Sequence, residues 1–110
     1  MILTTTDTVP GHDVVKYCGL AKGCSVRGMH FGDDVVAMIK NAIGGEVHEY
    51  TQVFAQVREQ ALDRMMDDAR ELGANAVIGL RFESTEIGDG AAELMVYGTA
   101  VVVAEKSKAR

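Results

Sequence analysis

The chain has 110 residues, 47% of them hydrophobic and 25% charged, which suits one globular domain with a single core and excludes a disordered chain. A formal net charge of -5 and a pI near 5.1 argue against nucleic acid and anionic membranes as partners, since both need clustered Lys and Arg. No apolar run reaches the roughly 18 residues that span a bilayer, the first residues carry no basic secretory leader, and two cysteines without such a leader point to free thiols in a reducing cytoplasm.

In chain order, Ile2 to Thr5 is expected to form a short strand and Val9-Pro10-Gly11-His12 a turn. Asp13 to Arg27 reads as a second strand, in which Gly19 and Gly23 mark a bulge or a sharp bend. Asp33-Asp34 cap a short helix running to Ile43, with Val35, Val36, Ile39, Ala42 and Ile43 on one face and Gly44-Gly45 as its stop. A long helix follows from Glu46 to Leu72. Its apolar residues Val47, Tyr50, Phe54, Val57, Ala61, Met65, Ala69 and Leu72 recur in steps of three or four. At about 1.5 Å per residue such a rod is about 40 Å long. A compact domain of this size has a radius of gyration of only about 13 Å, so part of the helix is expected to lean on something outside its own core. Its polar side carries Glu59, Asp63, Asp67, Asp68 and Glu71 threaded with Arg58, Arg64 and Arg70, a solvated face on which Arg64 and Asp68 form an i, i+4 pair. Gly73 ends the helix. Ala76 to Glu83 is a strand, with Ile78, Leu80 and Phe82 on one face. Gly88-Asp89-Gly90 lies in a loop longer than a minimal hairpin, Leu94 to Ala104 is the last strand, and Lys106 to Arg110 is a polar tail. The fold class is therefore α+β: a two-layer antiparallel sheet with one short and one long helix in a single domain.

The last strand carries the argument for assembly. Leu94, Val96, Gly98, Ala100 and Val102 form one face, and Met95, Tyr97, Thr99, Val101 and Val103 form the other. Neither face is polar, whereas a sheet with one wet face alternates apolar and polar residues. Leaving Met95, Tyr97, Val101 and Val103 in water would forgo roughly 6–12 kcal/mol of burial. That is comparable with the whole stability of a domain, about 5–15 kcal/mol. Two helices can cover one face, so the other is expected to pack on sister subunits in a closed homo-oligomer.

The segment Leu72-Gly73-Ala74-Asn75-Ala76-Val77-Ile78-Gly79 resembles the signature of the YbjQ-like family of small bacterial and archaeal proteins. Tyr17-Cys18-Gly19, Gly44-Gly45, Tyr50 and Gly98-Thr99-Ala100 match in the same order, so the likeness spans nearly the whole chain. The chain departs from the family at Met29 to Asp33 and at His48-Glu49. The resemblance implies a subunit similar to the dodecin type, homopentamers with a barrel-like centre of strands, and a provisional heavy-metal-binding role.

Cys18 and Cys24 are the candidate metal ligands, because thiolate suits copper(I), zinc and heavier ions. One chain lacks the four ligands of a structural zinc site, so a metal ion would be held where subunits meet, and Cys18 is the cysteine that matches the family. The alternative for both is a small buried hydrophobe. His12, His30 and His48 read as turn and helix-start histidines. Asp33 and Asp34 are explained by capping, yet with His30 they are also the residues from which a composite active site between subunits would be built. Three functions follow from these features. The first is a non-catalytic oligomeric binding protein that holds a metal ion or small ligand at a subunit interface. The others are an enzyme with such a composite site, and a scaffold that offers the exposed end of the long helix to another protein.

Overall fold

A computed structural model describes residues 1–27, 48–88 and 91–107. Four strands and one helix lie among them: β1 (Ile2–Leu3), β2 (His12–Arg27), α1 (His48–Glu71), β3 (Ala76–Gly88) and β4 (Ala91–Glu105). The strands form one sheet in the order β1-β3-β4-β2. Helix α1 covers one of its faces, burying Ala61, Met65 and Ala69 against Ala21, Val77, Val96 and Ala100. The short helix expected from Asp33 to Ile43 and its Gly44-Gly45 stop lie outside the described residues, as do Val47 and the side chains of Tyr50 and Phe54.

The sheet is mixed, which corrects the expectation of an antiparallel one. β2 and β3 both run antiparallel to β4, but β1 is parallel to β3 with Ile2 opposite Ala76. A parallel pair needs a long crossover, and here the whole of β2 and α1 separates the two strands. β1 is only two residues long, yet the chain beyond it still follows β3: the Thr4 amide donates to Val77 O at 3.0 Å and the Gly79 amide to Thr6 O at 2.9 Å. This unusual stretch falls where the β3–β4 register shifts between Ile78 and Arg81. Gly79 sits in that bulge with φ of 62°, a left-handed angle that side chains resist. An added Cβ there would meet nothing within 4 Å, so the backbone angle and not a close approach within the chain is what asks for glycine.

β3 and β4 also run further than their apolar content suggests. Ser84, Thr85 and Glu86 continue the ladder, and Gly88 pairs with Ala91. Only Asp89 and Gly90 separate the two strands, so the connection has minimal hairpin length and not the longer loop expected.

Helix α1 meets β2 at closest range through Gly23. A Cβ at that position would overlap the Ala61 carbonyl oxygen and the Met65 amide nitrogen, so helix backbone rests directly on strand backbone. Gly23 thus marks a close approach, while the β2 bulges fall nearer Val14–Lys16 and Tyr17–Gly19. Two helix side chains bond the strand beside this contact. The Lys22 amide donates to Asp68 Oδ2 at 2.9 Å, and Arg64 Nη1 donates to the Cys24 carbonyl at 2.6 Å. Arg64 and Asp68, expected to pair with each other, each bond β2 backbone instead, and the ion pair among the described helix residues joins Arg70 to Asp67 at 3.0 Å. Behind the contact, the fully buried Ser25 hydroxyl donates to Gln60 Oε1 at 2.7 Å.

The C-terminal end of α1 is closed by Gly73 with φ of 85°. Its amide bonds Arg70 O at 2.9 Å and the Ala74 amide bonds Ala69 O at 3.0 Å, the two bonds of a Schellman cap. The cap turns Leu72 outward, away from the core face expected for it. Asn75 then acts as a short strand substitute: its Nδ2 donates to Val103 O at 3.0 Å, and its Oδ1 accepts from the Val103 amide at 2.8 Å.

Gly23→Ala should lower unfolding free energy by about 1–3 kcal/mol in urea titration, the usual cost of overpacking, and a change below about 0.5 kcal/mol would contradict the backbone contact. Asn75→Asp keeps the acceptor and removes the donor, so Val103 O loses its partner. The expected loss is about 1–3 kcal/mol by the same titration, whereas an unchanged midpoint would show that this amide bond contributes nothing.

Candidate functional site

The sheet face opposite α1 holds the exposed chemistry, and the register shows which side chains share it. Gly23 and Ser25 point to the helix, so Lys22 and Cys24 between them point away. On β4, Val96 and Ala100 belong to the helix-side core, so Met95 and Tyr97 face outward with them. Cross-strand pairing then sets two rows on the open face: Cys24, Met95 and Glu83, and next to it Lys22, Tyr97 and Arg81.

One end of this face is closed by the chain itself. Val9, in the turn before β2, packs with Ala76, Ile78, Val101 and Val103 in a second buried cluster, with Val14 beside it. Val101 and Val103 are thus covered by their own N-terminal segment, contrary to the expectation that only sister copies could shield them. The sequence could not show this because Val9 reaches the sheet from a loop and carries no periodic signal. The other end stays open. Leu20, Lys22, Glu83, Thr85, Met95 and Tyr97 line a shallow groove of about 300 Å³. Its floor is apolar and its two flanks carry opposite charges, with the Tyr97 hydroxyl donating to Glu83 Oε1 at 3.4 Å. Of these residues, only Met95 and Tyr97 stood out in the sequence; Lys22, Glu83 and Thr85 become neighbours only through a register that two bulges shift.

Apolar exposure gathers at the sheet edges. Val15, Tyr17 and Leu20 on β2 are 61%, 69% and 59% exposed. At the opposite edge Phe82 is 48% exposed and lines, with Leu3, Thr4, Thr5, Leu62 and Leu80, a second groove of about 430 Å³.

The two cysteines are both free and half-buried. They do not converge. Cys18 packs against the helix-side core, whereas Cys24 stands opposite Met95 on the open face. Six residues of strand also separate them by about 20 Å. Among the described residues no three His, Cys, Asp or Glu side chains gather as metal ligands. His12 Nδ1 lies 3.0 Å from Pro10 O within its own turn, as a turn histidine should. His30, Asp33 and Asp34, the residues of the composite-site reading, lie outside the described residues. No helix among the described residues is long and apolar enough to cross a membrane.

These features define a class: a small α+β subunit whose described residues place one helix on a four-stranded mixed sheet, with an amphipathic groove on the opposite face. The chain belongs to the YbjQ-like, or UPF0145, family. A family model described as "Putative heavy-metal-binding" matches residues 1–104. A UPF0145 protein of Pyrococcus furiosus is 48% identical over 103 residues, covering 94% of this chain and 90% of its own. One from Hahella chejuensis is also 48% identical, with 94% and 99% covered. The fold is similar to the crystal structure of a DUF74-family protein of unknown function from Pediococcus pentosaceus. That likeness has a TM-score of 0.64 at 16% identity and covers 94% of this chain and 98% of the other.

Because the thiols lie on opposite faces, mild oxidation of the folded protein should give no bond between Cys18 and Cys24 within one chain. Mass spectrometry of the denatured, alkylated product tests this, and a monomer lacking two hydrogens and two alkyl groups would contradict the placement.

Proposed function

We propose that the protein is a non-catalytic binding protein that works as a closed homo-oligomer in the cytoplasm. In this reading copies of the chain enclose the open sheet face, and a metal ion or small ligand is held where they meet. The observation that carries the reading is the pair of unlike apolar surfaces on opposite sheet edges, Val15, Tyr17 and Leu20 on β2 and the Phe82 groove beside β1. Covering each of the three β2 side chains would contribute roughly 1–2 kcal/mol at their present exposure. Unlike surfaces meet head to tail, and a head-to-tail contact that closes makes a ring. The family resemblance makes five the expected number of copies.

The β2 edge itself favours contact over its first half. Asp68 and Arg64 occupy the Lys22 amide and the Cys24 carbonyl, which blocks strand addition there, whereas the exposed apolar residues lie on the other side of Lys22. Cys24 supplies the thiolate donor in this reading, since it stands on the open face while Cys18 packs against the helix-side core, and a thiolate there is consistent with a family described by heavy-metal binding. The net charge of -5 keeps nucleic acid and anionic membranes out of the partner list.

Light scattering coupled to gel filtration at micromolar concentration tests the assembly. The expected mass is five times 11.8 kDa, and Leu20→Lys should shift it towards the single chain. A wild-type protein that elutes folded at the mass of one chain would contradict the proposal.

A further inference from the structure

We infer that Cys24 and Met95 form a two-sulfur site for a soft monovalent cation, copper(I) or its analogue silver(I), on the open face of the sheet. The two residues are direct cross-strand partners and point away from α1. Directly opposed residues of an antiparallel pair have Cβ atoms about 4.5–5.5 Å apart, so a thiolate and a flexible thioether at these positions reach one ion between them. Both side chains are part-exposed, Cys24 is free of any disulfide, and Met95 lines the groove through which a cation would arrive.

The donor set selects the ion. Zinc asks for four ligands, and harder divalent cations ask for carboxylates and imidazoles, of which no group of three gathers among the described residues. Thiolate and thioether together suit copper(I), whose affinity for soft sulfur does not depend on a full shell of oxygen or nitrogen. Glu83, the next residue in the same row, accepts from the Tyr97 hydroxyl. Cys18 has no such neighbour: the register shift leaves it without a cross-strand partner, and it packs on the helix-side core. The binding step needs no oxidant or reductant. The Cys24 thiol loses its proton to solvent, its sulfur bonds the incoming copper(I), and the Met95 sulfur donates a lone pair without losing any group.

The inference deepens the binding reading above and rests on the open face, but not on the ring. A monomer that still takes up the cation through these two sulfurs would contradict the ring alone, and a ring that takes up none would contradict this site alone. The test is an anaerobic titration of the reduced full-length protein with copper(I) in competition with a chromophoric copper(I) chelator, with silver(I) in native mass spectrometry as a second probe. The expected result is one cation per chain, lost in Cys24→Ser, weakened about tenfold in Met95→Leu and unchanged in Cys18→Ser. X-ray absorption of the copper-loaded protein should show two sulfur neighbours, falling to one in Met95→Leu. Met95→Leu preserves size and apolarity, so it remains informative should Cys24→Ser fold poorly. Binding that survives Cys24→Ser but not Cys18→Ser, binding that ignores Met95→Leu, or no uptake at all would each overturn the site.

Discussion

The structure turns on the place where α1 lies on β2 with no side chain between them. Gly23 lets the helix backbone at Ala61 and Met65 touch the strand. At that distance Arg64 and Asp68 reach the strand's outward carbonyl and amide. The contact therefore fixes the helix and also blunts the sheet edge beside it. Backbone groups on an edge strand otherwise invite another strand, and here two of them already have partners.

Because the single described helix is committed to one face, the other face depends on what the rest of the chain can supply. The N-terminal segment supplies Val9, which closes the end formed by Ala76, Ile78, Val101 and Val103. It does not extend to Leu20, Met95 and Tyr97, which border a groove between opposite charges. The Tyr97 groove and the Cys24–Met95 pair both fall in that uncovered half. A face left open by the fold is thus also the place where assembly and ligand binding converge in the proposed function.

Much of the architecture was legible in the sequence because it is periodic. The Val57, Ala61, Met65, Ala69 spacing marks the buried side of α1, and all four are buried. The two apolar faces of β4 are likewise real, although one of them is partly covered from within the chain. What the sequence hid is whatever breaks a period. Cys18 and Cys24 are an even number of residues apart, so strict alternation would place them on one face; the shift between Tyr17 and Gly19 puts them on opposite faces. Ser84 and Thr85 read as loop residues, yet they extend the hairpin and bring Thr85 to the groove. Arg64 and Asp68 have the spacing of a helix-surface pair, and only the close approach at Gly23 redirects them to β2. The candidate site was legible in its sulfurs and its tyrosine but not in its geometry, because side chains from three strands meet there by register.

The most direct measurement of the central claim is hydroxyl-radical footprinting of the wild-type protein beside a Leu20→Lys variant at matched concentration. If copies of the chain cover the open face and the β2 edge, Tyr17, Met95 and Tyr97 should be modified several-fold more slowly in the wild type, while Leu72 at the end of α1 reacts alike in both. Equal rates at Tyr17, Met95 and Tyr97 in two folded proteins would show that this face stands in water, and the account of the molecule as an assembling subunit would fail.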